Sequence, residues 1–518
     1  MSKLKRLSVK LLVLFQWLVN VVSYLFGQRE KRRYVPEAKN KLLNTSATKL
    51  AEKIRKLEIS SEELVSTYIE RIEEVNPIIN AVVENRFSKA IIEAKNVDEY
   101  LKRCNTASFD LEKTKPLLGV PITVKECLAV KGMSFTGCSL TRKGIKANED
   151  AGAIKLLKEA GAIILLVSST PEYCTAIETC NNIIGRSKNP YDTRRVCGGS
   201  SGGEATLLGA GASVIGIGSD IGGSIRVPCA FNGIYGHKPS EGIAPLNGSF
   251  PWCDDKRFAE YLAIGPMTRY VEDLKLTLKV LAGSKALRLR LDNEINLETV
   301  NLFYMVDSFD EFCLTKVDQK IKHAIEQAVT YLSKNFKCKV NETKFPEFGY
   351  SIEMCALIFC LENPSNVFTD SKTKYNITTE FLKFLRGNSI FTFQSFIFTT
   401  MVKHKFLMSD NELKLFSRKV ADFKEKFTST LGSNGVFLYP SFPTEAFKHY
   451  GFLEGMSGAR FAGVFNIFGC PCTCVPIGLS KNGLPLGIQV IGAPNQDNLT
   501  LEVAKELGKY FGGWQAPN

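Results

Sequence analysis

Histidine is scarce: His237, His323, His404 and His449 are the four in a chain of 518 residues. None has neighbours that mark it as catalytic, so the sequence offers little to a histidine-activated nucleophile. The phosphate-cradling pattern G-x-x-x-x-G-K-[ST] is missing, because no lysine follows the glycines at the required place. No internal repeat and no low-complexity tract occurs, which removes solenoids and compositionally disordered chains. The 15 cysteines are odd in number and scattered, which argues for reduced thiols over a disulfide framework. Cys470, Cys472 and Cys474 lack C-x-x-C spacing and a histidine cluster, so they read as part of a strand and not as a metal site. Acidic residues are thin at one end only. Residues 1–40 hold nine Lys/Arg against Glu30 and Glu37, a net +7 out of +13 for the whole chain. The basic balance is therefore mostly a property of the N-terminal tail, and no nucleic-acid partner is expected.

Glycine and serine are concentrated in Gly198–Arg226, GGSSGGEATLLGAGASVIGIGSDIGGSIR, which holds ten glycines in a chain with 40. Glycine permits tight turns and lets a substrate approach the main chain. In Ser219-Asp220-Ile221-Gly222-Gly223-Ser224, successive unhindered N–H groups can converge on one point, as an oxyanion hole requires. A flexible linker is the plain alternative, but linkers are polar throughout. Here Ala205–Ile217 is dominated by Ala, Leu, Val and Ile, which suits a buried helix and strand. Gly198-Gly199-Ser200-Ser201-Gly202 also satisfies G-x-S-x-G, the nucleophile-elbow pattern. An elbow must follow a buried apolar strand, and Asn189-Pro190-Tyr191-Asp192-Thr193-Arg194-Arg195 is not one.

With histidine set aside, a base is needed from elsewhere. In Gly119-Val120-Pro121-Ile122-Thr123-Val124-Lys125-Glu126, the residues Val120, Ile122 and Val124 alternate as on a half-buried strand and send Lys125 to the opposite face. On spacing alone a solvated surface lysine is the simpler reading.

The stretches GVPITVKE, GGSSGGE, GSDIGGSIRVP and GHKP, with RSKNPYD at Arg186, VFLYPSFPT at Val436 and LPLGIQVIG at Leu484, resemble the amidase signature family in content, order and separation. The likeness runs from about Ala51 to Trp514, nearly the whole chain. It implies an α/β fold, a mixed sheet of about eleven strands sandwiched between helices. It also implies a catalytic triad of Lys125, Ser200 and Ser224, with Ser224 as nucleophile, Ser200 as a bridging serine in a cis peptide, and Lys125 as the base. The implied oxyanion donors are the backbone N–H groups of Ile221, Gly222, Gly223 and Ser224. A lysine serving as base must work in its neutral form, which burial favours. The chemistry is then acyl transfer through an acyl-enzyme, with no metal or organic cofactor needed.

Leu11–Phe26 carries no ionisable residue except Tyr24. Sixteen helical residues at about 1.5 Å each reach roughly 24 Å, short of a bilayer core of about 30 Å. Gln16, Asn20, Ser23 and Gly27 would share one face, so a short tilted span and an interfacial helix both fit. The exit, Gly27-Gln28-Arg29-Glu30-Lys31-Arg32-Arg33, lacks the small residues of a signal-peptide cleavage site. The expected organisation is residues 1–42 as a membrane anchor with basic flanks and 43–518 as the catalytic domain, placed on an endomembrane or lipid-droplet surface.

Residues 301–410 contain 15 of the 34 phenylalanines, which core packing or an apolar acyl channel would explain. Together with the anchor, this combination resembles the branch of the family that hydrolyses fatty-acid amides, meaning primary fatty amides and N-acyl ethanolamines. Two readings compete. One is a family member acting on a polar amide, such as a glutamine-hydrolysing tRNA amidotransferase subunit. The other is a catalytically silent lipid-binding protein. Oligomeric state is open, a homodimer included. Local patterns predict two amphipathic helices in Lys41–Asn76, the second opened by a capping box of Ser60 and Glu63. They also predict helix Asp150–Gly161, strand Ala162–Val167, and a hairpin of Thr473–Ile477 and Leu486–Ile491 about Asn482-Gly483.

Overall fold

A computed structural model describes residues 31–103, 108–253, 255–308, 316–359, 377–403 and 408–517. Among these, eleven strands form one mixed sheet. They are β1 (Val82–Asn85), β2 (Pro121–Lys125), β3 (Ile163–Ser168), β4 (Ile215–Asp220), β5 (Tyr235–Lys238), β6 (Ala263–Thr268), β7 (Asn301–Tyr304), β8 (Lys339–Glu342), β9 (Gly435–Pro440), β10 (Cys472–Leu479) and β11 (Pro485–Gly492). Their order across the sheet is β1-β3-β2-β4-β6-β5-β10-β11-β9-β7-β8. The β3-β2-β4 group is parallel, as is β9-β7-β8, and antiparallel pairs join the two.

The helices that matter for the site are α1 (Ala47–Arg55), α2 (Ser61–Ile79), α3 (Gly152–Glu159), α4 (Gly202–Gly209), α5 (Arg226–Asn232), α6 (Ser351–Phe359), α7 (Phe393–Lys403) and α8 (Phe452–Ile467). Most local expectations are met. The Ser60 hydroxyl accepts from the Glu63 N–H at the start of α2, so helix α2 begins where its side-chain cap places it. Helix α3 and strand β3 occupy the predicted places, and β10 and β11 form the hairpin, with Gly483 at φ +72° in its turn. One expectation fails. The alternation before Lys125 predicts one wet face, yet all five residues of β2 are buried. Parallel strands are covered on both faces, and here Thr123 meets Glu204 of α4 while Ile122 and Val124 join the apolar cluster that holds Leu64 and Tyr68 of α2.

The phenylalanine-rich middle divides between two uses. Phe345 and Phe348 are core residues packed against Phe423 and Phe427, Phe345 tilted and Phe348 edge-on. Phe359 of α6 and Phe398 of α7 instead meet edge to face at 4.7 Å beside a cavity that Ser224 also lines. The expected anchor, Leu11–Phe26, lies outside the described residues. Among the described residues no helix is long and apolar enough to cross a membrane.

Candidate active site

The site forms where the C-terminal ends of the parallel strands β2, β3 and β4 meet, the usual place for function in such a sheet. Lys125 ends β2 and is paired in register with Ser168 of β3. Its Nζ donates to Ser200 Oγ at 2.7 Å and to Ser219 Oγ at 3.0 Å. No carboxylate of the described residues lies within 4.0 Å of it. Two buried acids stand close by and are otherwise engaged. Glu126 accepts from Ser134 Oγ, Thr136 N and Oγ1, and Cys138 N, and burial raises its carboxyl. Glu204 accepts from Thr123 Oγ1 at 2.5 Å, and burial pushes it up to about 7 against that hydrogen bond.

Ser200 follows a cis peptide bond after Gly199, as the resemblance implied. Its carbonyl accepts from Thr170 Oγ1 at 2.9 Å. Helix α4 begins immediately after it and packs so closely on the 169 segment that a Cβ on Gly203 would sit 2.5 Å from the Ser169 backbone. Ser224 lies on the turn after β4, and its carbonyl accepts from Ser201 N at 3.1 Å. Exposure rises in the order Lys125 0%, Ser200 2%, Ser224 8%, so the outermost of the three is the implied nucleophile. Ser200 and Ser224 border one cavity, and Ser224, Ile221 and Gly222 also border an adjoining apolar one.

The turn itself is shaped by Asp220. Its carboxylate accepts from Gly223 N at 2.7 Å and Ile225 N at 3.0 Å, and from Arg226 Nε and Nη2 at 3.0 Å each. Burial would raise this carboxyl, but the Arg226 guanidinium and the backbone donors hold it well below the usual carboxylate range. Arg226 in turn reaches Asn466 Oδ1, Gln489 Oε1 and the Ala462 carbonyl. Gly223 holds φ +109° against Ala462, where a Cβ would come to 2.7 Å, so glycine is required there. Of the four backbone amides implied as oxyanion donors, that of Gly223 thus donates to Asp220 in this structure.

The structure therefore brings Lys125, Ser200 and Ser224, with the Ile221–Ser224 turn, into one place. It adds residues that sequence reasoning left unassigned: Ser219 beside the lysine, Thr170 behind Ser200, and the Asp220–Arg226 pair. Asp220 and Arg226 were visible inside a quoted motif. Thr170 carried no such signal.

The family model described as Amidase matches residues 63–501. The chain belongs to the amidase family. It is an amide-hydrolysing enzyme. This amidase is 39% identical over 522 residues to fatty-acid amide hydrolase 2-B of Danio rerio, covering 99% of this chain and 98% of that protein. It is also 39% identical to fatty-acid amide hydrolase 2 of Homo sapiens, covering 92% of this chain and 91% of that one. A solved structure titled fatty acid amide hydrolase superposes with TM-score 0.72 at 21% identity, over 95% of this chain and 88% of that chain, and shows the shared fold.

Proposed function

We propose that this amidase cleaves fatty-acid amides, primary fatty amides and N-acyl ethanolamines, at a membrane or lipid-droplet surface through a Ser-Ser-Lys triad. The observation that carries the reading is the 2.7 Å contact from Lys125 to Ser200, set beside Ser224 on a cavity walled by Phe359 and Phe398. Neutral Lys125 draws the Ser200 proton, Ser200 draws that of Ser224, and Ser224 Oγ attacks the carbonyl. Lys125 is wholly buried, and among the described residues no carboxylate pairs with it, which leaves its Nζ to Ser200 and Ser219. The amides of Ile221, Gly222 and Ser224 face the developing oxyanion, with Gly223 held by Asp220. The leaving amine regains the proton along the reverse path, and water releases the fatty acid.

Ser224→Ala should abolish both hydrolysis of oleamide and labelling by a fluorophosphonate probe. Labelling that survives in Ser224→Ala and disappears in Ser200→Ala would move the nucleophile to Ser200. A panel of oleoyl and arachidonoyl amides assayed beside glutamine tests the substrate class, and glutamine turnover without lipid-amide turnover would overturn it.

A further inference from the structure

Glu204, in the first turn of α4, is a wholly buried acid that the proton relay leaves unused. Its carboxyl stands on the same side of β2 as Lys125. It meets Thr123, which lies two residues before Lys125 and so on the same face of the strand. It also fills the space above Gly216 of β4, where a Cβ would come to 2.4 Å from Glu204 Oε2, so only glycine leaves room for it. Among the described residues Glu204 forms no ion pair, and its Oε1 is buried without a hydrogen-bond partner.

Counting hydrogens shows which form of this acid the packing suits. Ser213 Oγ lies 2.9 Å from the Ile215 carbonyl, which only accepts, so the one Ser213 hydrogen is committed there. Thr123 Oγ1 lies 2.9 Å from Ser213 Oγ and is then the donor in that contact. The remaining contact, between Thr123 Oγ1 and Glu204 Oε2 at 2.5 Å, has no hydrogen left unless Glu204 brings one. An ionised Glu204 accepts from Thr123 and leaves the Thr123–Ser213 contact without a hydrogen. A protonated Glu204 donates to Thr123, and all three contacts are made. Burial pushes the carboxyl up to about 7, in the same direction.

Helix α4 packs on β2, β4, β6, α2 and α5. The other buried titratable groups on these elements are engaged or silent. Asp220 of β4 binds Arg226 of α5, Tyr68 of α2 accepts from Arg269, and Arg71 of α2 reaches the Ala210 carbonyl and Glu74. Burial pushes the Cys229 thiol of α5 up, and β6 carries no titratable residue. Lys125 is left as the group whose proton Glu204 can govern.

We propose that Glu204 is a positioning residue that holds, as a carboxylic acid, the proton that Lys125 must lack to act as the base. The proposal rests on the Lys125 base reading above. The two groups hold one proton between them in the working enzyme. On Glu204 it leaves Lys125 neutral and able to accept from Ser200; moved to Lys125 it leaves a carboxylate and an ammonium that cannot accept.

The acid limb of kcat/KM for oleamide reports loss of the proton from the base. Ser213→Ala frees the Thr123 hydrogen for Glu204 and favours the carboxylate, so the limb should move to higher pH by about half to one unit, the worth of one hydrogen bond. Adding Glu204→Gln should bring it back, because the amide donates to Thr123 as the acid does and does not ionise. Glu204→Gln alone should leave the limb where it is. Each limb is read within one preparation, so partial misfolding does not move it. An unmoved limb in Ser213→Ala, a shift that persists in the double variant, or a limb moved to lower pH by Glu204→Gln alone overturns the proposal. The infrared difference between wild type and Glu204→Gln below about pH 7 should contain the C=O stretch of a carboxylic acid, and carboxylate bands in its place overturn the proposal too. The spectrum needs no turnover. Failure of the base reading, seen as an active Lys125→Arg enzyme, is thereby told apart from failure of the proton assignment.

Discussion

Lys125 is enclosed by protein, and among the described residues its Nζ hydrogen-bonds only to oxygens of Ser200 and Ser219. If it moves protons, an always-charged replacement cannot substitute for it. Lys125→Arg should then be nearly as inactive on oleamide as Lys125→Ala, each losing about 10²–10⁴-fold, the usual worth of a positioned base. Ester hydrolysis should suffer less, because an alkoxide leaves with less need of a proton than an amine does. A Lys125→Arg enzyme with near wild-type oleamide turnover would refute the base assignment. Cys174 gives a second test at this scale. It lines the cavity that Ser200 and Ser224 border, and Thr170 Oγ1 lies 3.2 Å from its sulfur. The Cys127 thiol, working against burial and aided by Thr170, holds the Cys174 thiol down at about 6. A lowered thiol is ionised above its own value, so iodoacetamide labelling of Cys174 should rise through pH 6 and level off above it. Cys127→Ala should move that rise to higher pH. Peptide mapping that finds Cys174 labelled only above about pH 8, like an ordinary thiol, would show the environment to be otherwise.

Strand β4, the turn after it and helix α5 act as one piece because Asp220 and Arg226 bind each other with both side chains wholly buried. Removing one partner of such a pair leaves an uncompensated charge and costs about 3–5 kcal/mol. Arg226→Met should therefore lower the urea midpoint strongly at neutral pH and cut activity, since Asp220 also holds the Gly223 and Ile225 amides. The sign with pH follows from the Asp220 carboxyl, which is lower in the folded chain than its unfolded value. Its stabilisation is present above about pH 4, the unfolded carboxyl value, and is lost as the pH falls below that. The gap between wild type and Arg226→Met should accordingly narrow in acid. An equal gap at pH 7 and at pH 3 would contradict the assignment.

At the scale of the molecule, the N-terminal segment meets the catalytic body within the stretch assigned to the anchor flank. Arg32 Nη2 donates to the Tyr191 carbonyl at 2.6 Å, Arg33 Nη1 to the Pro77 carbonyl at 2.8 Å, and Arg71 Nη2 to the Pro36 carbonyl at 2.6 Å. Val35 is buried against the same body. Deleting residues 1–30 should therefore keep the thermal midpoint and oleamide turnover while releasing much of the protein from sedimented membranes. Deleting residues 1–42 should lower the midpoint as well. If the shorter deletion leaves membrane recovery unchanged, attachment does not depend on Leu11–Phe26.

Local patterns in the sequence were enough to place α2 and its Ser60 cap, α3 followed by β3, and the β10–β11 hairpin, because each depends on neighbours a few residues away. The motifs Gly198–Arg226 and Gly119–Glu126, through their likeness to a family, also brought Lys125, Ser200 and Ser224 together as candidates. What the chain alone could not decide is anything set by distant partners. Burial of both faces of β2 came from helices that pack on it from elsewhere in the chain, and alternation along one strand cannot register them. The division of the phenylalanines into Phe345 and Phe348 in the core and Phe359 and Phe398 at the cavity had the same cause. So did the orientation of the Gln394 amide, which is set by Glu178, 216 residues earlier in the chain. A side chain's chemical type is written in the sequence, but its solvent, counter-charge and hydrogen-bond partners are settled only when the sheet and its helices close around it.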